Sequence, residues 1–184
     1  MNMRITSLVV ALVATAITTT TATATAGDKK ISVVTTLNVL AAVARDIGGE
    51  RVTVSALAKA NQDPHTLVAK PTFKVAAKNA ELFVEIGLGL DTWATAVTDA
   101  SGNPDIQAGQ PGRVVASDGI ATKELPATLS KAWGDIHPSG NPHVWLDPVN
   151  VKQIAENIAA GLTRVDPDGK DVYAANLDTF QHKI

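Results

Sequence analysis

The sequence predicts an α/β fold, in which a parallel four-stranded sheet is flanked by helices. Short apolar runs rich in β-branched residues alternate with longer segments of helical periodicity, which is the order typical of right-handed β-α-β units. The apolar runs are nearly continuous, as expected for strands that are covered on both faces. With 45% hydrophobic and 4% aromatic residues, the chain has enough apolar side chains to form a buried core.

Four segments have the composition of buried strands. In chain order, they are residues 31–35, 52–58, 81–86 and 113–117. Each is a short run that contains valine, isoleucine or leucine and is bounded by residues that favour turns or helix starts. Because helical segments separate these strands, we expect them to be parallel neighbours in one sheet.

Helices are predicted between and after these strands. The first covers residues 37–47 and stops at Gly48-Gly49, a second covers 71–79, and a third covers 91–99. Asp147-Pro148 then starts a helix whose apolar stripe recurs at helical spacing. Asp166-Pro167 repeats the start signal, and the pattern is still helical at residue 184. We therefore expect the sequence to end inside a long, truncated helix.

The first 26 residues have the pattern of a secretory signal peptide. A basic start with Arg4 is followed by an apolar run over residues 5–17 and by small residues ending in Ala24-Thr25-Ala26. The apolar run is short for a membrane-spanning helix, so we expect cleavage after Ala26. Since the sequence contains no cysteine to carry a lipid, the expected location is the periplasm, without a lipid anchor.

Charge and cysteine content limit the partners and the kind of site. The chain has 16 basic and 18 acidic residues and a net charge of −2, without a basic patch, so no nucleic-acid partner is expected. The absence of cysteine excludes disulfides and thiolate ligands. Any metal site must therefore use histidine and oxygen ligands.

Three of the four histidines lie in loops next to proline. They are His65 in Asp63-Pro64-His65, His137 before Pro138, and His143 in Asn141-Pro142-His143. The loops with His65 and His143 follow the second and fourth strands, and in open parallel sheets ligands collect at the carboxyl ends of the strands. Imidazole suits zinc and also copper, nickel and iron, whereas manganese prefers more oxygen ligands. A solvent-exposed loop histidine is the alternative for each position, and spacing alone does not decide between them.

Structural roles explain several residues near these histidines. Asp147 and Asp166 are explained as helix-start residues, and Asp63 as a turn residue. Either Asp63 or Asp147 is also in place to accept a hydrogen bond from a ligand histidine. Trp145 is expected to pack against the His143 loop and orient it.

Two motifs carry a resemblance to a known family. The ten residues 141–150, Asn-Pro-His-Val-Trp-Leu-Asp-Pro-Val-Asn, together with Asp63-Pro64-His65, resemble the paired signature of bacterial zinc and manganese solute-binding proteins. These proteins serve ABC transporters and form the cluster A-I family. The resemblance spans residues 30–184. It departs from the family pattern after His65, where Thr66 to Pro71 replaces the Tyr-Glu-Pro-like continuation of many relatives.

The resemblance implies a two-lobed protein with an ion bound between the lobes and one long helix joining them. Residues 27–165 would form the N-terminal metal-binding lobe and residues 166–184 the start of the inter-lobe helix, with the second lobe absent. His65 and His143 would be the metal ligands of this lobe. His137 is a further candidate, either as a third ligand or as a metal-delivery residue, and a packed or exposed loop histidine is the alternative.

The expected function is therefore binding without catalysis. We expect a monomer that takes up a divalent metal ion, Zn²⁺ or alternatively Mn²⁺, and delivers it to the membrane permease of an ABC transporter. An exported metal-dependent hydrolase is an alternative, although no glutamate stands beside either histidine as a general base. A nucleotide-binding Rossmann domain is another, since Gly87-Leu88-Gly89 follows a strand. However, Asp91-Thr92 stands where the third glycine is needed.

Overall fold

The computed structural model of the chain describes residues 30–123, 125 and 137–184. The predicted signal peptide and the middle of the loop at residues 119–141 lie outside these ranges. Among the helices that are described, none combines the length and the apolar character needed to cross a bilayer.

The sheet has four parallel strands in the order β2-β1-β3-β4. The strands are β1 (Ile31–Thr35), β2 (Val52–Ala56), β3 (Leu82–Glu85) and β4 (Arg113–Val115). This confirms the predicted fold class. The second strand is shorter than predicted, but Leu57 and Ala58 still donate backbone hydrogen bonds to the carbonyls of Thr35 and Thr36, at 2.9 and 3.0 Å.

In the part of the chain that the structure describes, five α-helices cover the two faces of the sheet. They are α1 (Asn38–Gly48), α2 (Pro71–Lys78), α3 (Trp93–Ser101), α4 (Pro148–Val165) and α5 (Lys170–Lys183). The helices α1, α4 and α5 pack together on one face, and α2 and α3 pack together on the other. The predicted sequence of strands and helices is thus the observed one, with ends that differ by a few residues.

Neighbouring strand residues point into two separate cores, because side chains alternate between the faces of a strand. Val33 and Leu82 are fully buried under α1 and α4. Val34 and Phe83, one residue further on each strand, are buried under α2 and α3. Burial of one such side chain stabilises the fold by about 1.5–3 kcal/mol. The continuous apolar runs of the sequence are explained by this two-sided burial.

The two Asp-Pro helix starts serve different purposes. Asp147 caps α4 as predicted, since its carboxylate accepts a hydrogen bond from the backbone N–H of Val149 at 3.0 Å. Asp166 stands at the N-cap position with Pro167 as the first residue, as the start signal predicts, but its side chain makes no cap hydrogen bond. A 3₁₀ turn, Pro167–Gly169, precedes α5.

The Asp166 carboxylate instead joins distant parts of the chain. It accepts two hydrogen bonds from the Arg51 guanidinium, at 2.8 and 2.9 Å, and one from the Tyr173 hydroxyl. Tyr173 is fully buried, and Asp166 is 9% exposed. Because Arg51 directly precedes β2, this contact fastens the start of α5 to the sheet. The hydrogen bonds from Arg51, followed by that from Tyr173, hold the pKa of Asp166 below its ordinary value, while burial raises the pKa of Tyr173 to about 12.

Helix α4 approaches the sheet closely at Gly161. A Cβ atom at this position would come within 2.4 Å of a Val114 methyl group and within 3.2 Å of Leu82. Only a residue without a side chain fits between the helix backbone and these strands.

We predict that Asp166→Asn weakens the fold and flattens its acid dependence. A carboxyl group whose pKa is lowered by folding stabilises the protein above its unfolded pKa, and this contribution is lost as the pH falls through the folded pKa. Removing the charge should therefore lower the free energy of unfolding at pH 7, and the difference from the parent protein should shrink below about pH 4. Urea unfolding over a pH series measures both effects. Two curves that stay parallel down to low pH would contradict this role of Asp166.

We also predict that Gly161→Ala destabilises the protein, although alanine is the better helix former by about 1 kcal/mol. The added methyl group would overlap Val114, and overpacking typically costs about 1–3 kcal/mol. Thermal and urea unfolding measure the change. Ala160→Gly on the exposed neighbouring position is the matched control, and should cost only about 1 kcal/mol through helix propensity. A more stable Gly161→Ala variant would show that the helix-sheet contact is looser than described.

Candidate metal centre

The loops that leave the carboxyl ends of the strands carry three of the four histidines. His65 lies in the loop between β2 and α2, and His137 and His143 lie between β4 and α4. The fourth, His182, is near the end of α5, where its ring is 2.7 Å from the carbonyl of Asp178 and its side chain is 78% exposed. The structure thus places the three proline-flanked histidines in the two connections that follow β2 and β4.

His65 is at the centre of this cluster. Its ring centroid is 5.2 Å from that of His143 and 5.1 Å from that of His137, with interplanar angles of 45° and 44°. The side chain of His65 is 16% exposed. Its Nε2 atom is buried and has no hydrogen-bond partner among the described residues. A buried polar atom without a partner is costly, so this nitrogen is suited to a ligand.

The two Asx-Pro-His motifs fold in the same way. In the first, the Oδ1 atom of Asp63 accepts the backbone N–H of His65 at 2.9 Å and contacts its ring Nδ1 at 2.8 Å. In the second, the Oδ1 atom of Asn141 accepts the N–H of His143 at 3.0 Å and contacts its Nδ1 at 2.9 Å. The proline between the two residues fixes one backbone angle of each turn. One oxygen thus orients both the backbone and the ring.

This shared oxygen determines the tautomer of each ring. A backbone amide always donates, so the atom that it contacts must be an acceptor. The neighbouring Nδ1 must then carry the ring proton, which leaves the lone pair on Nε2. For His65 the acceptor is a carboxylate, and hydrogen bonds from the backbone N–H and then from the ring of His65 hold the pKa of Asp63 below its ordinary value. For His143 the acceptor is a neutral amide.

Two tryptophans support the histidine loops. The indole Nε1 of Trp93, the first residue of α3, donates a hydrogen bond to the carbonyl of Pro64 at 2.8 Å. Trp145 lies with its ring centroid 5.3 Å from that of His143, in agreement with its expected packing role. The part played by Trp93 was missed, because a contact between residues 29 positions apart leaves no local pattern. The orienting role of Asn141 was missed as well, although the repeated Asx-Pro-His spacing was the signal for it.

The glycine turn after β3 is closed by Asp91 and is unsuited to phosphate. The buried Asp91 carboxylate accepts the backbone N–H groups of Ile86 and Gly87, at 2.8 and 3.0 Å, and the hydroxyl of Thr36 at 2.6 Å. A phosphate would need the amides that this carboxylate already uses. The geometry therefore gives no support to the nucleotide-binding alternative. Gly89, on the same turn, lies beside the ring of His137.

The His65–His143 distance matches what a shared ion requires. A zinc ion about 2.1 Å from each Nε2 would lie about 3.2 Å from each ring centroid, which places two ligand rings about 5.2 Å apart at the tetrahedral angle. Among the described residues, no group of three or more His, Cys, Asp or Glu side chains is already arranged to hold an ion. The arrangement is therefore a partial site. His143 also borders an open cavity of about 320 Å³.

Comparison with known proteins places the chain in a family. Residues 33–184 match the family model ZnuA, described as zinc-uptake complex component A, periplasmic. The manganese-binding lipoprotein MntA of Halalkalibacterium halodurans is 27% identical over 150 residues, which are 82% of this chain and 45% of that protein. The manganese ABC transporter substrate-binding lipoprotein PsaA of Streptococcus pneumoniae is 30% identical, over 84% of this chain and 48% of PsaA.

Solved structures agree with the fold. A zinc-bound ZnuA deletion mutant has a TM-score of 0.71 and 31% identity, over 84% of this chain and 54% of that one. The metal-dependent lipoprotein YcdH of Bacillus subtilis has a TM-score of 0.68 and 28% identity, over 84% of this chain and 52% of that one. This chain spans about half the length of the curated relatives it matches.

The comparison corrects the predicted location. MntA, PsaA and a metal ABC transporter substrate-binding protein of Lactococcus lactis are all named lipoproteins, which conflicts with the expectation of a periplasmic protein without a lipid anchor. That expectation depended on the absence of cysteine from the chain. This chain spans about half the length of its relatives, so the absence of cysteine from it does not decide whether the whole protein carries a lipid anchor.

The family match covers most of the chain, and the matching structures share its sheet and flanking helices. Its relatives are metal-binding and substrate-binding components of ABC transporters, named for manganese in some cases and for zinc in others. The chain belongs to the ZnuA family of metal-uptake solute-binding proteins.

Proposed function

We propose that the protein containing this chain binds a divalent metal ion, Zn²⁺, and delivers it to the permease of an ABC transporter. His65 and His143 are ligands that this chain contributes. The observation that carries the proposal is the buried, unpartnered Nε2 of His65 in a ring 5.2 Å from that of His143. Ring packing alone accounts for such a distance. It does not account for a buried nitrogen without a hydrogen bond.

Family membership supports transport as the purpose of this binding. PsaA is named as a manganese ABC transporter substrate-binding protein, and the family model is described by zinc uptake. We propose that this protein likewise binds its ion, without transforming it. In this proposal residues 27–165 are the N-terminal lobe, and residues 166–184 begin the helix that leads to a second lobe. The protein acts as a monomer, and the second lobe supplies the remaining ligands.

Manganese is the second candidate ion, since MntA and PsaA are named for it. Two neutral imidazoles favour zinc, whereas manganese requires more oxygen ligands. Whether the ligands outside this chain supply nitrogen or oxygen therefore affects the preference between zinc and manganese. Titration with both ions distinguishes the two candidates.

We predict that His65→Ala and His143→Ala each weaken Zn²⁺ binding, and that the double variant loses it. Each substitution removes one Nε2 lone pair from the shared site. Isothermal titration calorimetry of the full-length protein, with Zn²⁺ and with Mn²⁺, measures the effect. The matched control is His182→Ala on α5, which should leave the affinity unchanged. Undiminished affinity in the double variant would refute the proposed site.

We predict that Asp63→Ala lowers the metal affinity by about 10–100-fold, the usual cost of removing the outer partner of a ligand histidine. Without the carboxylate, the ring of His65 loses the hydrogen bond that fixes its tautomer and orientation. The control is Asp147→Ala, which removes the α4 cap and should cost about 1 kcal/mol of stability without changing the affinity. Equal affinity losses in the two variants would point to general destabilisation instead.

A further inference from the structure

The ring of His137 lies at nearly the same distance and tilt from the ring of His65 as the ring of His143 does. The two outer rings lie 5.1 and 5.2 Å from the ring of His65, with almost the same tilt. His65 is therefore shared by two similar ring pairs. Both 5.1 and 5.2 Å agree with the separation of about 5.2 Å expected for rings on one tetrahedral ion.

The backbone around His137 is held in place next to His143. The N–H of Gly140 donates to the carbonyl of His137 at 3.0 Å and closes a tight turn, and the N–H of Asn141 donates to the carbonyl of Lys123 at 2.9 Å. Gly140 has a φ of 92°, and a Cβ there would come within 2.7 Å of the Lys123 carbonyl. This turn fits closely against residues 122–123, and it carries a histidine on each side.

The ring of His137 has a defined orientation at the glycine turn. A Cβ atom at Gly89 would lie 3.4 Å from the Nδ1 of His137, so this edge of the ring rests against the turn. Gly87, Leu88 and Gly89 all have positive φ angles, of 83°, 55° and 82°. The hydrogen bonds to Asp91 hold this unusual backbone in place. The opposite ring nitrogen, Nε2, is buried.

We propose that His137 is a third metal ligand from this chain, so that His65, His137 and His143 form a three-imidazole set. This proposal rests on the proposed function and specifies its ion. Three neutral nitrogen ligands with one further position are a common arrangement for zinc, whereas manganese favours oxygen. His137 is thus a specificity-determining residue for Zn²⁺ over Mn²⁺.

In the structure, both outer rings contact the ring of His65, but the three do not yet form a metal site. The Asx oxygens already hold the rings of His65 and His143, so binding must bring the ring of His137 toward an ion that these two rings share. Both His137 and His143 lie in the segment between β4 and α4, and the Asn141 contact already directs the Nε2 lone pair of His143.

The test compares His137→Ala with the parent protein and with His182→Ala, in the full-length protein. Calorimetric titration with Zn²⁺ and with Mn²⁺ gives the affinities, and zinc K-edge X-ray absorption counts the imidazoles on the ion. We expect at least a tenfold loss of zinc affinity, since loss of even an outer partner of a ligand costs about 10–100-fold. The manganese affinity should change less, and the imidazole count should fall by one.

An unchanged zinc affinity or imidazole count in His137→Ala would overturn this inference. Equal losses for zinc and manganese would overturn the specificity assigned to His137. In either case the proposed function stands if the His65→Ala, His143→Ala double variant still loses zinc binding. If the His65→Ala, His143→Ala double variant keeps full affinity, the proposed function itself fails. Circular dichroism of each variant separates loss of a ligand from loss of the fold.

Discussion

A single oxygen atom in each Asx-Pro-His turn determines what the site is able to do. Because the Oδ1 atom of Asp63 or Asn141 contacts both the backbone and the ring of the following histidine, the loop and the imidazole are fixed together. The ring then has one tautomer, and Nε2 is the nitrogen available to a ligand. The proline between the Asx residue and the histidine restricts the backbone conformations that each turn adopts. The two turns lie in different crossover connections of the sheet. Each directs the Nε2 atom of its histidine toward the same site.

The parallel sheet determines where the histidine turns meet. In the order β2-β1-β3-β4, the chain leaves β1 and β3 at neighbouring positions, and the open edge there is where ligands of parallel sheets bind. Asp91 joins these two exits, since it accepts hydrogen bonds from Thr36 after β1 and from the backbone after β3. Apolar burial on both faces of the sheet supports this edge, and the loops after β2 and β4 carry the histidines.

Much of the fold was predictable because its causes are local. The β-branched runs, the proline starts and the cap at Asp147 lie within a few residues of the elements they specify. Long-range contacts were not predictable, since Arg51 and Asp166, or Trp93 and Pro64, have no fixed spacing. Of the site, the sequence identified the right histidines as neighbours, and their role as ligands stays a prediction. The hydrogen bond of Asp63 to a ligand histidine was among the alternatives that the sequence offered, and the structure shows it. The orienting role of Asn141 was found only in the structure, although the repeated Asx-Pro-His position was visible.

The difference between Asp63 and Asn141 has a consequence for ion release. A carboxylate behind an imidazole makes it a stronger electron donor than a neutral amide does. For an ion held as proposed, the bond to His65 is then the stronger one and the bond to His143 the weaker. His143 also borders the open cavity, whereas the Nε2 of His65 is buried. Dissociation would accordingly follow a fixed order, with His143 detaching first while His65 retains the ion until it is transferred.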